Sequence, residues 1–326
     1  MESIIIPIVA NATAGYKKIM RFTSSSPLII GTRGSPLALV QAHETMGRLI
    51  RSTGLEENCF KILVIKTSGD MIQDRPLSEV GGKGLFTKEI EEAMLSGNVD
   101  IAVHSMKDMP VICPGGLILD CYLPREDVRD SFVSPKYKAI SELPEGSTVG
   151  TSSLRRRAQL LNRRPDLKIV EFRGNVQTRL RKLSEGIADA TFLACAGLNR
   201  LGRSDISNPI ETEDMLPAIA QGCIGIERRE NDIEICEMLT AINDIPATLR
   251  LAAERTLLAG LDGSCQTPIA GLAELDGDQM RLRGEVIRPD GSEALFDEIT
   301  CRITEGISMA DKMAKRFRAQ MGINFF

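Results

Sequence analysis

Short apolar runs and helix-like segments alternate along most of the chain. From Leu28 to about Leu239, apolar runs are followed by stretches in which apolar residues recur every three or four positions. This alternation predicts an α/β fold with parallel sheets covered by helices on both faces. The predicted strands are 28–30, 60–66, 100–104, 117–122, 168–172 and 190–194; the predicted helices begin at Pro36 after a Ser35 cap, at 85, at Ser153 after a Ser152 cap, and at 176.

The pattern changes after Ala247. One more helical segment leads to a Gly-containing loop, and three segments of strict apolar and polar alternation follow at 270–275, 279–287 and 294–303. Turn sequences with Asp-Gly pairs separate these segments, as they do in hairpins. The C-terminal part is therefore predicted to be a small α+β domain with a three-stranded antiparallel sheet and a final helix.

Length and composition fit a globular protein of two or three domains. The 326 residues carry a net charge of −4, and no apolar run approaches the ~20 residues of a membrane-spanning helix. Eight cysteines without a C-x-x-C pair and only two histidines argue against a disulfide framework and a metal site. Residues 1–27 lack the basic start of a signal peptide, so we predict a disordered N-terminal extension and a cytoplasmic protein.

Residues 67–84 are rich in Gly, Asp and Lys, which is typical of a functional loop or lid. Their Gly81-Gly82-Lys83-Gly84 run is not a Walker loop, because Leu77 stands where the first glycine belongs and Gly84 where Ser or Thr would bind Mg²⁺. No G-x-G-x-x-G follows a predicted strand either. We therefore expect no nucleotide cofactor.

Arginines are concentrated in one part of the chain, where eight of them lie between positions 155 and 181. Arg155 and Arg156 fall in the first turn of a predicted helix, where the macrodipole disfavours cations unless an anion offsets them. This favours polyanion binding, although a solvated helix face is an alternative. A small polycarboxylate fits better than nucleic acid, since the chain has no Trp for base stacking.

Two further residues are candidates for chemistry. Asp108 follows a predicted strand, at the end where α/β sheets bind ligands, although an Asp close to a turn proline such as Pro110 is commonly structural. Cys265 lies in a Gly-containing loop between domains rather than in an apolar stretch, although single cysteines are commonly inert. The residues alone leave these alternatives open.

Taken together, the motifs resemble the porphobilinogen deaminase family over nearly the whole chain, from about Leu28 to the end. They are the opening motif Gly31-Thr32-Arg33-Gly34-Ser35-Pro36-Leu37-Ala38, the flexible loop Val80-Gly81-Gly82-Lys83-Gly84-Leu85-Phe86, the catalytic stretch His104-Ser105-Met106-Lys107-Asp108, the substrate-anchoring segments Gly150-Thr151-Ser152-Ser153-Leu154-Arg155-Arg156 and Arg173-Gly174-Asn175-Val176, and the cofactor-attachment signature Glu254-Arg255-Thr256-Leu257 with Gly263-Ser264-Cys265-Gln266-Thr267-Pro268.

The resemblance implies a fold and a cofactor. It implies two doubly wound domains built like type II periplasmic binding proteins, with the active cleft between them, and a third α+β domain that carries the cofactor. That cofactor is dipyrromethane, held by a thioether to Cys265, and no metal is implied. The implied limits are 28–123 plus 220–239 for domain 1, 127–216 for domain 2 and 245–326 for domain 3, with the chain crossing near 123–127 and 217–221.

The resemblance also implies a transferase, hydroxymethylbilane synthase, which joins four porphobilinogen molecules stepwise on the dipyrromethane primer in tetrapyrrole (heme) biosynthesis. Asp108 and Lys107 would be catalytic, with Asp108 steadying pyrrole NH groups and the cation formed when ammonia leaves. Cofactor-binding residues besides these and Cys265 would be Arg155, Arg156, Ser153, Ser105 and Lys83, and substrate-binding residues would be Arg33, Ser35, Arg173, Arg179, Arg200 and Phe86.

The implied enzyme is a monomer that binds porphobilinogen, contacts neither nucleic acid nor membrane, and passes its product to uroporphyrinogen-III synthase. The alternative function is that of a two-lobed solute-binding protein for a small polycarboxylate, since a shared fold does not fix function. The missing export signal and the Cys265 loop in an added domain favour the enzyme.

Overall fold

A computed structural model describes residues 21–71, 84, 86–264, 267–322 and 325–326, which form three β-sheets and nine helices. The strands are β1 (Leu28–Thr32), β2 (Phe60–Val64), β3 (Ile101–Ser105), β4 (Leu117–Tyr122), β5 (Asp130–Val133), β6 (Thr148–Gly150), β7 (Lys168–Val170), β8 (Ala190–Ala194), β9 (Asn208–Pro209), β10 (Ile224–Arg229), β11 (Ile269–Asp276), β12 (Gln279–Ile287) and β13 (Ala294–Arg302). The helices are α1 (Pro36–Thr53), α2 (Ser68–Met71), α3 (Lys88–Leu95), α4 (Leu154–Arg163), α5 (Val176–Ser184), α6 (Cys195–Arg200), α7 (Ile233–Thr240), α8 (Ile245–Gly260) and α9 (Gly306–Gln320). Within this part of the chain, no helix is long and apolar enough to cross a membrane.

The first two sheets share one topology. Their strand orders are β2-β1-β3-β10-β4 and β7-β6-β8-β5-β9; in each, the second strand pairs in parallel with both neighbours and the fourth runs antiparallel to the third. Buried apolar side chains fill both faces of each sheet. The third sheet is the antiparallel meander β11-β12-β13, covered by α8 and α9. The predicted architecture is confirmed: two α/β domains and a small α+β domain with a three-stranded antiparallel sheet.

Several elements were not evident in the sequence, and their composition explains why. β10 is a central strand, yet it carries Glu227, Arg228 and Arg229, whose ion pairs allow charged side chains inside the sheet. β5, β6 and β9 have four residues or fewer, which is too short for a period to be recognised. Because β5 and β10 run antiparallel to their neighbours, each sheet combines the predicted parallel strands with antiparallel ones that the sequence did not reveal.

Two predicted helix starts are shifted. Ser153 rather than Ser152 caps α4: its Oγ accepts from an amide of the first helical turn at 3.4 Å. The Ser152 hydroxyl instead accepts from the amide of Phe172 at 3.0 Å, which ties it to the segment after β7. α3 begins at Lys88 after Thr87, later than predicted.

Of the predicted loop at 67–84, part forms α2, and residues 72–83 lie outside the described residues.

The chain passes between the first two sheets twice, through a first crossing segment (residues 123–129) and a second crossing segment (residues 210–223). The two segments lie side by side, since the amide of Glu126 donates to the carbonyl of Gly222 at 3.2 Å. Gly222 has φ +88°, and a Cβ there would lie 2.5 Å from the Glu126 carbonyl oxygen, so only glycine fits this approach. The residue limits given above for the three domains stay predictions.

Glu254, in the middle of α8, joins all three parts of the molecule. Its carboxylate accepts from Arg125 of the first crossing segment (2.6 and 3.1 Å), from the amide of Ala220 of the second (2.7 Å) and from the amide of Ala273 in β11 (2.8 Å). The Glu254 side chain is 0% exposed and that of Arg125 2%. These bonds hold Ala220 in the left-handed region (φ 61°), which non-glycine residues rarely adopt.

The apolar core of the third domain continues into the first. One buried cluster combines Leu251 and Leu257 of α8 and Phe317 of α9 with Met106 and Met109, which flank Asp108. Packing of this kind contributes about 25 cal/mol per Å² of apolar surface removed from water. The third domain is therefore fixed against the segment that contains the predicted catalytic residue.

We predict that Glu254→Gln lowers the free energy of unfolding by about 3–5 kcal/mol, because the buried guanidinium of Arg125 then loses its counter-charge. Urea denaturation followed by circular dichroism measures the change. The matched control is Glu298→Gln, whose partner Arg281 lies at 2.9 Å but with both side chains more than a third exposed, so we expect a change of about 0–1 kcal/mol. Equal effects of the two variants would contradict the assignment.

Candidate active site

The predicted site residues of the first two domains lie at corresponding sheet edges. In the first domain, Arg33 follows β1 and Asp108 lies in the turn after β3, and these strands are parallel neighbours. In the second domain, α4 follows β6 and Arg173 follows β7, again from parallel neighbours. The carboxyl ends of such strands form the edge where α/β sheets bind ligands. The two edges face each other, because Gln221 contacts both Lys107 of the first domain at 3.3 Å and Asp130 of the second at 2.9 Å; we call the space between them the cleft.

Asp108 ends a 3-10 turn, Met106–Asp108, that directly continues β3. The turn is fixed by the amide of Met106, which donates to the carbonyl of Cys223 at 3.0 Å. The half-buried Asp108 carboxylate makes no hydrogen bond or ion pair with another residue that the structure describes. Its charge interacts with the cations Lys107 and Arg179. This arrangement holds a carboxylate at the cleft, where it can act on a ligand.

Arg155 and Arg156 are buried and share one internal carboxylate. Arg156 donates from Nε and Nη2 to Oδ1 of Asp130 at 3.1 and 2.6 Å, and Arg155 Nη2 lies 2.7 Å from Oδ2. Burial by itself raises the pKa of Asp130, but the two guanidiniums outweigh it and hold the pKa well below its usual range. The anion that offsets these first-turn cations is thus Asp130, and their predicted contact with a bound polycarboxylate stays a prediction.

The electrostatics of the cleft suit an anionic ligand. Burial and the charge of Arg156 lower the pKa of Lys107 to about 8, despite the opposing effect of Asp108. Burial and Arg156 also lower the pKa of Arg179 to about 10, again against Asp108. Both shifts come first from burial and then from neighbouring guanidiniums, and a bound anion would offset both effects. The ammonium and guanidinium groups of the cleft therefore fit a cofactor that carries carboxylates, such as dipyrromethane.

Two residues of the cleft were missed in the sequence, Asp130 and Gln221. Gln221 accepts from Lys107 Nζ at 3.3 Å and donates to Asp130 Oδ1 at 2.9 Å, so it joins the two sides of the cleft. The one available signal was a polar residue in the otherwise apolar run before Gly222. Because its partners lie 91 and 114 positions away, nothing local could reveal the contact.

The structure gives several other predicted site residues definite partners. The guanidinium of Arg33 lies over the ring of Phe86, 4.1 Å from its centroid. Ser35 Oγ caps α1 by accepting from the amide of Ala38 at 3.2 Å. Ser105 donates to Gln41 Oε1 at 3.0 Å, Arg200 pairs with Glu44 at 3.1 Å, and Arg179 donates from Nε to the Gly174 carbonyl at 2.9 Å. Lys83 and Cys265 lie outside the described residues.

Arg200 and Glu44 connect the two sides of the cleft away from Asp108. Glu44 belongs to α1 and Arg200 to α6, and Arg200 also donates to the Gly222 carbonyl at 3.2 Å. Its side chain is only 8% exposed. This geometry gives Arg200 a structural partner, and its predicted contact with substrate stays a prediction.

Comparison with known proteins agrees with the motifs. The family described as "Porphobilinogen deaminase, dipyromethane cofactor binding domain" matches residues 28–237, and "Porphobilinogen deaminase, C-terminal domain" matches residues 248–321. A porphobilinogen deaminase of Paracoccus denitrificans is 61% identical over 92% of this chain and 96% of its own length. One from Nitrobacter winogradskyi is 52% identical over 91% and 94%.

Among solved structures, a periplasmic substrate-binding protein of an ABC transporter from Coxiella burnetii aligns over 70% of this chain and 96% of its own, with 16% identity and a TM-score of 0.40. Fold and site define a two-lobed α/β protein with a cation-rich cleft and an added α+β domain. By the two domain matches and the identity to its relatives, the chain belongs to the porphobilinogen deaminase family. This membership favours the enzyme over the solute-binding alternative.

We predict that Asp130→Asn lowers the free energy of unfolding near pH 7 by about 3–5 kcal/mol, since two buried guanidiniums lose their counter-charge. The folded-state pKa of Asp130 is depressed, so its contribution is present above the unfolded pKa of about 3.9 and is lost as the pH falls further. Urea unfolding at several pH values should show wild type and variant converging below about pH 4.

The control is Asp166→Asn, because Asp166 pairs with Arg164 at 2.6 Å at the surface, away from the cleft. We expect it to change stability little at any pH. A constant difference between wild type and Asp130→Asn down to low pH would contradict the role given to Asp130.

Proposed function

We propose that this chain deaminates porphobilinogen and joins four molecules of it, one after another, into hydroxymethylbilane, which makes it a transferase of tetrapyrrole (heme) biosynthesis. The 61% identity to a porphobilinogen deaminase over 92% of the chain carries this proposal. The motifs quoted above all lie within the two matched regions. Conversion of porphobilinogen to hydroxymethylbilane by the purified chain, with release of ammonia, is the direct test.

The carboxylates of substrate and cofactor are assigned to the cations of the cleft. Each pyrrole unit carries an acetate and a propionate, and guanidinium groups bind carboxylates through two parallel hydrogen bonds. Arg173 and Arg179 contribute from the second domain and Arg33 from the first. Further proposed contacts are Ser35, Arg200 and Phe86 with substrate, and Arg155, Arg156, Ser153, Ser105 and Lys83 with cofactor.

Asp108 is assigned to the charge that develops during deamination. The aminomethyl group reacts in its protonated form: when its carbon–nitrogen bond breaks, the electron pair leaves with ammonia and the positive charge passes to the pyrrole. The Asp108 carboxylate stabilises this charge and accepts a hydrogen bond from the pyrrole NH. Protonated Lys107 pairs with a substrate carboxylate, and its pKa of about 8 keeps it mainly charged at neutral pH. A fixed carboxylate needs no reorganisation as the cation forms, which lowers the barrier.

The dipyrromethane cofactor is assigned to Cys265. When bound, it supplies the free pyrrole carbon that attacks the substrate cation. Burial raises the pKa of the Cys113 and Cys223 thiols to about 12, so neither provides a thiolate near neutral pH. Helix α8, which leads to the attachment loop, contacts the segment after Asp108: Arg255 Nη2 donates to the carbonyls of Pro110 and Val111 at 2.8 and 3.0 Å.

We further propose that the protein acts as a cytoplasmic monomer and passes hydroxymethylbilane to uroporphyrinogen-III synthase. The three domains of one chain contain every residue assigned to the reaction, so a second copy is not needed for the site. A mass measurement in solution, such as light scattering after size exclusion, tests the monomer directly.

Asp108→Asn should reduce the rate of deamination about 10²–10³-fold, because it keeps the shape of the side chain and removes the charge that stabilises the cation. Asp108→Glu should retain more activity, since it keeps the anion and displaces it by one methylene. Single-turnover kinetics of ammonia release from holo-enzyme measures both. Asp276→Asn, at the exposed end of β11, is the control and should react at the wild-type rate. Wild-type rates for Asp108→Asn would make Asp108 a turn residue only.

Cys265→Ser should give a folded chain of bare polypeptide mass, because a serine hydroxyl is far less ionised than a thiol near neutral pH and does not capture the pyrrole cation. Intact-mass spectrometry of the purified protein reads the result directly. Cys236→Ser, at a half-buried position on α7, should keep the cofactor mass. A Cys265→Ser chain that still carries dipyrromethane would rule out this attachment site.

A further inference from the structure

Gln221 is held at a point where the second crossing segment passes behind the cleft. Gln221 is fully buried. Its backbone is fixed on both sides, because its carbonyl accepts from Arg125 Nε at 2.9 Å and its amide donates to the carbonyl of Ala218 at 2.9 Å. The preceding amide, of Ala220, is bound by Glu254 at 2.7 Å. The direction in which the Gln221 side chain leaves the backbone is therefore set by the buried ion pair of the crossing segments.

The side-chain amide of Gln221 has one consistent orientation. Its Nε2 donates to the carbonyl of Val128 at 2.8 Å and to Asp130 Oδ1 at 2.9 Å, and its Oε1 faces Lys107 Nζ at 3.3 Å. A carbonyl and a carboxylate can only accept, and an ammonium can only donate. Exchanging the oxygen and the nitrogen would therefore break all three contacts, so the amide is locked.

A neutral acceptor at this position has a specific consequence for Lys107. Glutamate has the same length as glutamine, but it would place a negative charge beside the ammonium and stabilise its protonated form. Glutamine provides the hydrogen bond without that charge. Lys107 therefore stays under the influence of burial and of the charges of Arg156 and Arg155, which lower its pKa against the opposing charges of Asp108 and Asp130.

We propose that Gln221 is a positioning residue for the reaction: its amide holds Lys107 in the cleft without neutralising it, and ties Lys107 to the Asp130 carboxylate that fixes Arg155 and Arg156. This inference rests on the proposed function of the cleft. It assigns the second crossing segment a part in the site, because one side chain of that segment sets the distance between the cations of the first domain and those of the second.

The test is the pH dependence of Lys107 acylation in the purified holo-enzyme, measured by competitive labelling with acetic anhydride and peptide mass spectrometry. In Gln221→Glu the labelling midpoint should rise by about one pH unit or more relative to wild type, because an opposite charge then lies beside Nζ. The alkaline limb of kcat/KM should move in the same direction. The matched control is Gln159→Glu, since Gln159 is also fully buried but bonds the carbonyl of Leu216 at 2.8 Å rather than Lys107.

A midpoint in Gln221→Glu that equals that of wild type, or a shift of equal size in Gln159→Glu, would overturn the proposal. If Gln221→Glu does not fold, Gln221→Met replaces it. Loss of the acceptor should then raise the acylation rate of Lys107 at pH 7 several-fold, and an unchanged rate overturns the proposal. Labelling does not require turnover. Absence of hydroxymethylbilane synthesis by wild type would therefore refute the proposed function, whereas the labelling midpoints alone decide whether Gln221 positions Lys107.

Discussion

The ion pair between Arg125 and Glu254 is the contact on which the rest of the arrangement depends. Both side chains are almost completely buried, and the carboxylate also binds main-chain amides of the second crossing segment and of β11. A buried ion pair contributes little net stability compared with two apolar residues of similar volume, but removing one partner leaves a buried charge without compensation. Its effect is on geometry: it fixes where the chain crosses between the two α/β domains and where the third domain rests on them.

The cleft contains a second buried carboxylate with a different effect. Asp130 pairs with both Arg155 and Arg156, which divides the cations of the cleft into two groups. Those bound to Asp130 are held in place and lower the pKa of Lys107 through their charge. Arg179, by contrast, lies close to other cations, and its charge interacts favourably with Asp108 across the cleft. A ligand with several carboxylates would relieve this excess of positive charge.

The two carboxylates are connected through Gln221. Its backbone carbonyl accepts from Arg125, and its side chain reaches Asp130 and Lys107. A change in the angle between the first two domains would thus alter the crossing segments and the spacing of the cations of the cleft together. The third domain takes part because α8 supplies both Glu254 and Arg255, the latter bound to the loop after Asp108. In the proposed function such coupling is useful, since a growing chain of pyrroles must be accommodated next to the fixed carboxylate of Asp108.

Much of this molecule followed from its sequence. The hydrophobic patterns of α1, β8 and the C-terminal meander predicted those elements, because a buried helix face, a short continuous apolar run and strict alternation are each local signals. The motifs around Asp108, Arg155 and Cys265 indicated the family, because the chemistry requires particular residues at fixed spacing. The tertiary structure decided the rest. β10 was hidden because its charged side chains have partners distant in sequence. Asp130, Gln221 and the structural contacts of Glu254 were hidden for the same reason: a buried polar residue is recognised by what it contacts, and only the folded chain brings those contacts together.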